Sequence, residues 1–428
     1  MAKLRHLNKK AWRTLMKDLY CMLEREVLPA FGCTEPIALA FAAAKAVEVL
    51  GEFPSSLHAD CSGNIIKNAK SVTIPNADGR TGFYYSLILG AIVGDASKEL
   101  EVLEGLTSDD VKRADELFES NFCTVSLAEG VANLYIAVTA KTADHEVKVT
   151  VQQKHTNITH IEKDGEVIFD MPLEQILAEE VQMTFDDCYE FAEEADFKRL
   201  KELLHRQFEY NMAIAEEGMK NSYGSNIGKL IIEDSASIAD KARAYAAAGS
   251  DARMGGCSMP VMINCGSGNQ GITLAVPIHV YAEEYKVPEE RRYRALALAN
   301  VLALYIKHDI GRLSAYCGVV SAASATAAGI AYLLNEPKEV VWETLSNALV
   351  GTSGVVCDGA KASCAMKIGM SLGNALLSYR QAKSNNSFKN GDGIVKANID
   401  ETVHTVGRIA RDGMRETDIV ILESMIER

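Results

Sequence analysis

The chain has 428 residues, 48% of them hydrophobic, and a formal net charge of −14. This is enough apolar material for a large core and about two or three domains, which excludes a disordered chain. The acidity argues against nucleic acid or an anionic membrane as partner, and the one basic cluster (Lys3, Arg5, Lys9, Lys10, Arg13) reads as a solvated helix start.

No apolar run reaches the roughly 20 residues of a membrane span. FYYSLILGAIVG at 83–94 reads as a buried helix. The first residues lack the apolar core of a signal peptide, so a cytoplasmic location is expected. Disulfides are rare there. The ten cysteines then point to apolar packing, reactive thiols or metal binding.

In chain order, 11–28 has helical spacing, with Cys21 as core filling and Pro29 as the stop. FGCTEP follows. Thr34 reads as an N-cap, Glu35 and Pro36 as first-turn residues, and the alanine-rich run continues to Leu50 before Gly51. Cys33 stands just before this helix, where the macrodipole favours a thiolate. Such a thiol can be a nucleophile, a proton acceptor or a metal ligand; the plain alternative is a structural cysteine in a turn.

Ser62-Gly63-Asn64 is a polar turn. Residues 121–170 alternate and are rich in β-branched residues, with Val147, Val149 and Val151 on one face and a hairpin signal at Lys163-Asp164-Gly165. The expected fold class is α+β. A large, mainly α-helical domain (1–54 and 173–428) carries an inserted smaller α+β domain at 55–172. His145, His155 and His160 lie in the insert without matched carboxylates and are assigned no role.

From 173 the chain reads as helical. CSMPVMINCGSGNQG at 257–271 feeds an apolar helix, an arrangement suited to an anion through unpaired N–H groups. A carboxylate fits as well as a phosphate; a tight interhelical turn is the alternative. No lysine follows the glycines as a P-loop requires. Helices are expected at 288–309, 319–334, 338–349, 359–380, 394–411 and 415–427.

Cys317, Cys357 and Cys364 are flanked by glycine or small residues, which let backbone N–H groups approach a bulky inorganic group. They read as thiolate ligands of an iron–sulfur cluster, or else as small buried hydrophobes. Lys361 and Lys367 flank Cys364, either to offset cluster charge or as a solvated helix face.

The motifs GCTEP (32–36), CSGNIIKN (61–68), GSGNQG (266–271), AYCGVVSAA (315–323) and CDGAKASCAMKIG (357–369) occur together in this order. In these the chain resembles the L-cysteine desulfidases, relatives of the oxygen-sensitive iron–sulfur L-serine dehydratases. The resemblance implies an enzyme, a carbon–sulfur lyase, with a 4Fe–4S cluster held by Cys317, Cys357 and Cys364 and one iron open to substrate. It places Cys33 as proton acceptor; a rival arrangement makes Cys33 the third ligand instead of Cys364. The implied reaction converts L-cysteine and water to hydrogen sulfide, ammonia and pyruvate without pyridoxal phosphate. Asn64, Ser267, Asn269 and Gln270 would hold the substrate carboxylate and ammonium. A small amino acid is the expected partner, and a homo-oligomer the expected assembly. The alternatives are an L-serine (or other β-substituted amino acid) dehydratase of the same mechanism and a non-enzymatic iron–sulfur redox sensor.

Overall fold

A computed structural model describes residues 9–172, 181–233 and 237–426. Lys3 and Arg5 lie outside them, and the expected domain boundary at 172/173 abuts residues that also lie outside. The first helix, α1 (Lys9–Glu26), leads into strand β1 (Pro29–Phe31) and helix α2 (Thr34–Leu50). Then come β2 (Ser56–Cys61), α3 (Gly63–Ala69), α4 (Gly82–Val93), a short 3-10 turn and α5 (Ser108–Glu119). Five strands follow: β3 (Cys123–Leu127), β4 (Tyr135–Lys141), β5 (Glu146–Gln152), β6 (Ile158–Lys163) and β7 (Glu166–Asp170).

Among the described residues the rest is helical apart from one short strand and the connecting loops. It comprises α6 (Phe185–Glu194), α7 (Phe197–Lys220), α8 (Ile227–Glu233), α9 (Ile238–Met254), β8 (Pro260–Met262), α10 (Gly268–Glu284) and α11 (Glu289–Ile310). These lead to α12 (Gly318–Leu333), α13 (Lys338–Thr352), α14 (Ser363–Lys383), α15 (Ile399–Arg408) and α16 (Arg415–Ile426). The molecule is thus a large, mainly helical domain with an inserted mixed β-sheet region.

The sheet order is β3-β2-β4-β5-β6-β7; β2 and β3 are parallel and the other pairs antiparallel. Val147, Val149 and Val151 are fully buried, as their alternation requires. Helix α2 packs against β4 and β5 on one side and α4 on the other, so it is buried almost all round. A Cβ at Gly90 of α4 would overlap the Ala40 carbonyl, so this close crossing requires glycine. Gly51 ends α2 at φ +87°, its N–H bonded to the Val47 carbonyl.

In the helical domain α12 is the axis. Every residue from Val319 to Leu333 is buried, under α10, α11, α13 and α14. Its alanines, serines and glycines let the neighbours approach closely.

A two-stranded pairing that the sequence did not announce matters most for the site. β1 and β8 run antiparallel, with Ala30 opposite Val261. The buried Asn211 side chain clamps Met262, donating to its carbonyl (3.0 Å) and accepting from its N–H (2.9 Å). The Gly-Cys-Thr-Glu-Pro turn is thereby held beside the glycine-rich loop that opens α10.

Candidate active site

Four helix N-termini converge on one cavity. Its wall takes Thr34 and Glu35 from the start of α2, Ser267, Asn269 and Gln270 from α10, Cys317 and Gly318 from α12, and Cys364 from α14. Cys357, Cys265, Lys307, Arg253, Arg312 and Asn68 complete much of the lining, around about 90 Å³ of space. Each helix start brings unpaired N–H groups and the positive end of a dipole, so the cavity favours anions and thiolates.

The three cysteines singled out as ligands all reach this wall. Cys317 is the N-cap of α12, and its side chain makes no cap hydrogen bond. Cys357 lies before the turn that leads to α14. That turn passes through Gly359 at φ +93°, where a Cβ would overlap the Lys67 carbonyl oxygen. The turn delays α14 to Ser363, later than the expected 359, and keeps Cys357 out of the helix. Cys364 is the second residue of α14, with Sγ 3.6 Å from the Gly359 carbonyl.

Cys317 and Cys357 share a thiol hydrogen bond. That bond pulls Cys357 below the ordinary thiol range, against burial and with help from Lys67 and the Gly359 backbone. The same bond, with burial, pushes Cys317 up. Burial also raises Cys364.

Cys33 departs from the expectation of a dipole-stabilised thiolate. It is the N-cap of α2, with Thr34 the first helical residue. Its thiol is 1% exposed and absent from the cavity lining. Instead it packs with Val72, Met254, Ala360 and Cys364, its sulfur 4.0 Å from Met254 Sδ. Burial pushes its pKa up to about 12, outweighing the nearby Arg253.

Of the expected substrate-binding residues, Ser267, Asn269 and Gln270 line the cavity and Asn64 does not. Ser267 caps α10, accepting from the Gln270 N–H at 3.4 Å. Asn269 Oδ1 and Gln270 Oε1 are buried without a hydrogen-bond partner. Asn64 turns toward the last helix and donates to Asp418 (3.0 Å); Asn68, one turn further along α3, faces the cavity. Lys361 and Lys367 are both paired with Asp358, and neither lines the cavity.

Several wall residues carry chemistry that the sequence reading left aside. Glu35 has His155 Nε2 at 3.7 Å from Oε1, and its other oxygen accepts from Thr34 Oγ1 at 3.0 Å. Burial works to raise the Glu35 pKa, but His155, a backbone N–H and Thr34 outweigh it and the net direction is down. His155 comes from the hairpin between β5 and β6, so the inserted sheet touches the site. Lys307, near the end of α11, is 4% exposed and points into the lining. A lysine on the buried face of ALANVLALYIK was the available signal for it.

The donor set fits an iron–sulfur cluster. Three thiols share one wall, and glycines stand where side chains would intrude: a Cβ at Gly318 would sit 2.8 Å from Gln270 Nε2, and one at Gly266 2.6 Å from the His155 ring. Among the described residues no group of three His, Cys, Asp or Glu side chains is poised to clasp a single metal ion. No helix among the described residues is long and apolar enough to cross a membrane.

Residues 97–423 match the sequence model of a family described as serine dehydratase alpha chain. Similar full-length relatives are known. A UPF0597 protein of Finegoldia magna is 44% identical over 417 residues, covering 96% of this chain and 100% of the relative. That of Lachnoclostridium phytofermentans is 43% identical, covering 96% and 100%. That of Treponema denticola is 42% identical, covering 95% and 97%.

Proposed function

The chain belongs to the serine dehydratase alpha chain family, and from that premise we propose that it is a lyase performing β-elimination on a small β-substituted L-amino acid. One observation carries the reading. Cys317, Cys357 and Cys364 line a single cavity that also presents unpaired acceptors, Asn269 Oδ1 and Gln270 Oε1.

The leading substrate is L-serine, which loses its β-hydroxyl as water; the enamine then takes up water and releases ammonia to leave pyruvate. The description of the matched family favours this choice. The second reading is L-cysteine, giving sulfide in place of water, and it is carried by the five motifs from GCTEP to CDGAKASCAMKIG.

Cys317, Cys357 and Cys364 would hold a 4Fe–4S cluster, which when bound supplies a Lewis acid for the leaving group. The residues of the chain do the remaining work. The converging helix starts favour the substrate carboxylate. The unpaired amide oxygens accept from its ammonium and fix orientation. The α-proton passes to the start of α2. Cys33 is the acceptor the resemblance implies, and Glu35 is the group there with its carboxylate on the wall. Pyridoxal phosphate has no part in this scheme.

The test is anaerobic reconstitution with iron and sulfide, followed by parallel assays of pyruvate from L-serine and of pyruvate and sulfide from L-cysteine. Faster turnover of L-serine supports the leading reading, and faster turnover of L-cysteine the second. A cluster-loaded protein inactive on both overturns the lyase.

A further inference from the structure

Among the described residues Lys307 is one of three cations that line the cavity. Arg312 is paired with Glu26; Arg253, also 4% exposed, donates from Nη2 to the Gly32 carbonyl at 3.0 Å, and its Nε lacks a partner. Lys67, behind the wall, is paired with Asp418 at 2.5 Å. Lys307 is 4% exposed, yet among the described residues it makes no ion pair with a carboxylate. Its ionisable neighbours are Cys265, Cys357, Arg312 and Cys317. A buried, unpaired ammonium is expensive, so a side chain kept in this state has a use for an anion.

The nature of that anion follows from what else lacks a partner. Asn269 and Gln270, 5% and 4% exposed, line the same cavity with unpartnered oxygens. Lys307, the unpartnered Arg253 Nε and these two acceptors complement a zwitterion, which brings a carboxylate and an ammonium together. A thiolate or sulfide near Lys307 would satisfy the cation and leave both amide oxygens unpartnered.

We propose that Lys307 binds the substrate α-carboxylate while Asn269 and Gln270 receive the α-ammonium, so that the cavity selects free α-amino acids. This rests on the lyase reading and specifies how its substrate is held.

The experiment is calorimetric binding to the anaerobically reconstituted full-length protein, using L-alanine, which has no β-leaving group. Unmodified protein should bind L-alanine, and Lys307→Gln should weaken binding by about thirtyfold, as for loss of a buried charged contact. Lys307→Arg should recover most of it. Iron content should stay unchanged in both variants, and with the preferred substrate Lys307→Gln should raise KM more than it lowers kcat. Equal L-alanine binding by Lys307→Gln overturns the proposal, and so does loss of iron from that variant, which would assign Lys307 to the cluster. Should Lys307→Gln fail to fold, ethanolamine, which lacks the carboxylate, decides on the unmodified protein: binding as tight as that of L-serine overturns the proposal. No binding of either amino acid by unmodified protein removes the lyase reading together with it. Binding of L-alanine without turnover of any amino acid removes the lyase reading alone.

Discussion

Tyr316 and Val356 face each other across a single antiparallel bridge. Around it Cys317 donates its N–H to the Val355 carbonyl at 3.0 Å, and Cys357 donates to Ala315 at 2.6 Å. Two cysteines distant in sequence are thus placed by backbone hydrogen bonds on either side of one bridge. Cys317→Ser, Cys357→Ser and Cys364→Ser should each bind substantially less iron after reconstitution and lose visible absorbance, while Cys33→Ser keeps both. Iron and sulfide analysis checks this. Retention of iron by Cys364→Ser together with its loss in Cys33→Ser would move the third ligand to Cys33.

The two candidates for the α-proton separate by mutation. Glu35 is on the wall and Cys33 lies behind it, so Glu35→Gln should lower kcat by about a hundredfold or more, the usual scale for a lost general base. Cys33→Ser should cost much less. Single-turnover kinetics on cluster-loaded protein decides; the reverse ranking would restore Cys33.

His155 gives a pH-dependent test. The folded protein holds Glu35 below the usual carboxylate range, chiefly because His155 and hydrogen bonds outweigh burial. A depressed carboxyl contributes stability that is present above its unfolded pKa of about 4.3 and lost as pH falls through the folded value. His155→Ala removes the main stabiliser of the carboxylate, so its acid unfolding should begin at higher pH than that of the unmodified chain. Far-UV circular dichroism across pH 3 to 6 measures it.

Gly359 offers a test of the loop. At φ +93°, with the Lys67 carbonyl where a Cβ would lie, Gly359→Ala should cost about 2–4 kcal/mol and reduce iron uptake. Gly354 has open space where its Cβ would be, so Gly354→Ala should stay within about 0.5 kcal/mol. Urea titration of the two variants gives the comparison.

The sequence was most informative where local pattern and final structure coincide. Alternating valines marked β5, and apolar spacing located the helices from 288 onward to within a few residues. The small residues around Cys317, Cys357 and Cys364 pointed to one site. What it hid depends on docking. His155 was set aside because a hairpin loop carries no sign of what it will touch, and only the packing of the sheet on α2 brings it to Glu35. Asn64 and Asn68 look alike in sequence; the rotation of a seven-residue helix against α16 decides which one faces the cavity. Lys307 was masked by its helix, where an isolated charge in an apolar run attracts less notice than a motif. For Cys33 only the expected lowering of the thiol pKa is overturned: a dipole argument ignores how completely the side chain is enclosed, and burial raises it.

The wall of the cavity draws on Thr34 and Glu35 and, much later in the sequence, on Cys364. No single stretch of the chain can form it, so the wall exists only once α2, α10, α12 and α14 have docked. On the proposed reading, a cluster would be loaded onto a folded scaffold rather than guide its folding.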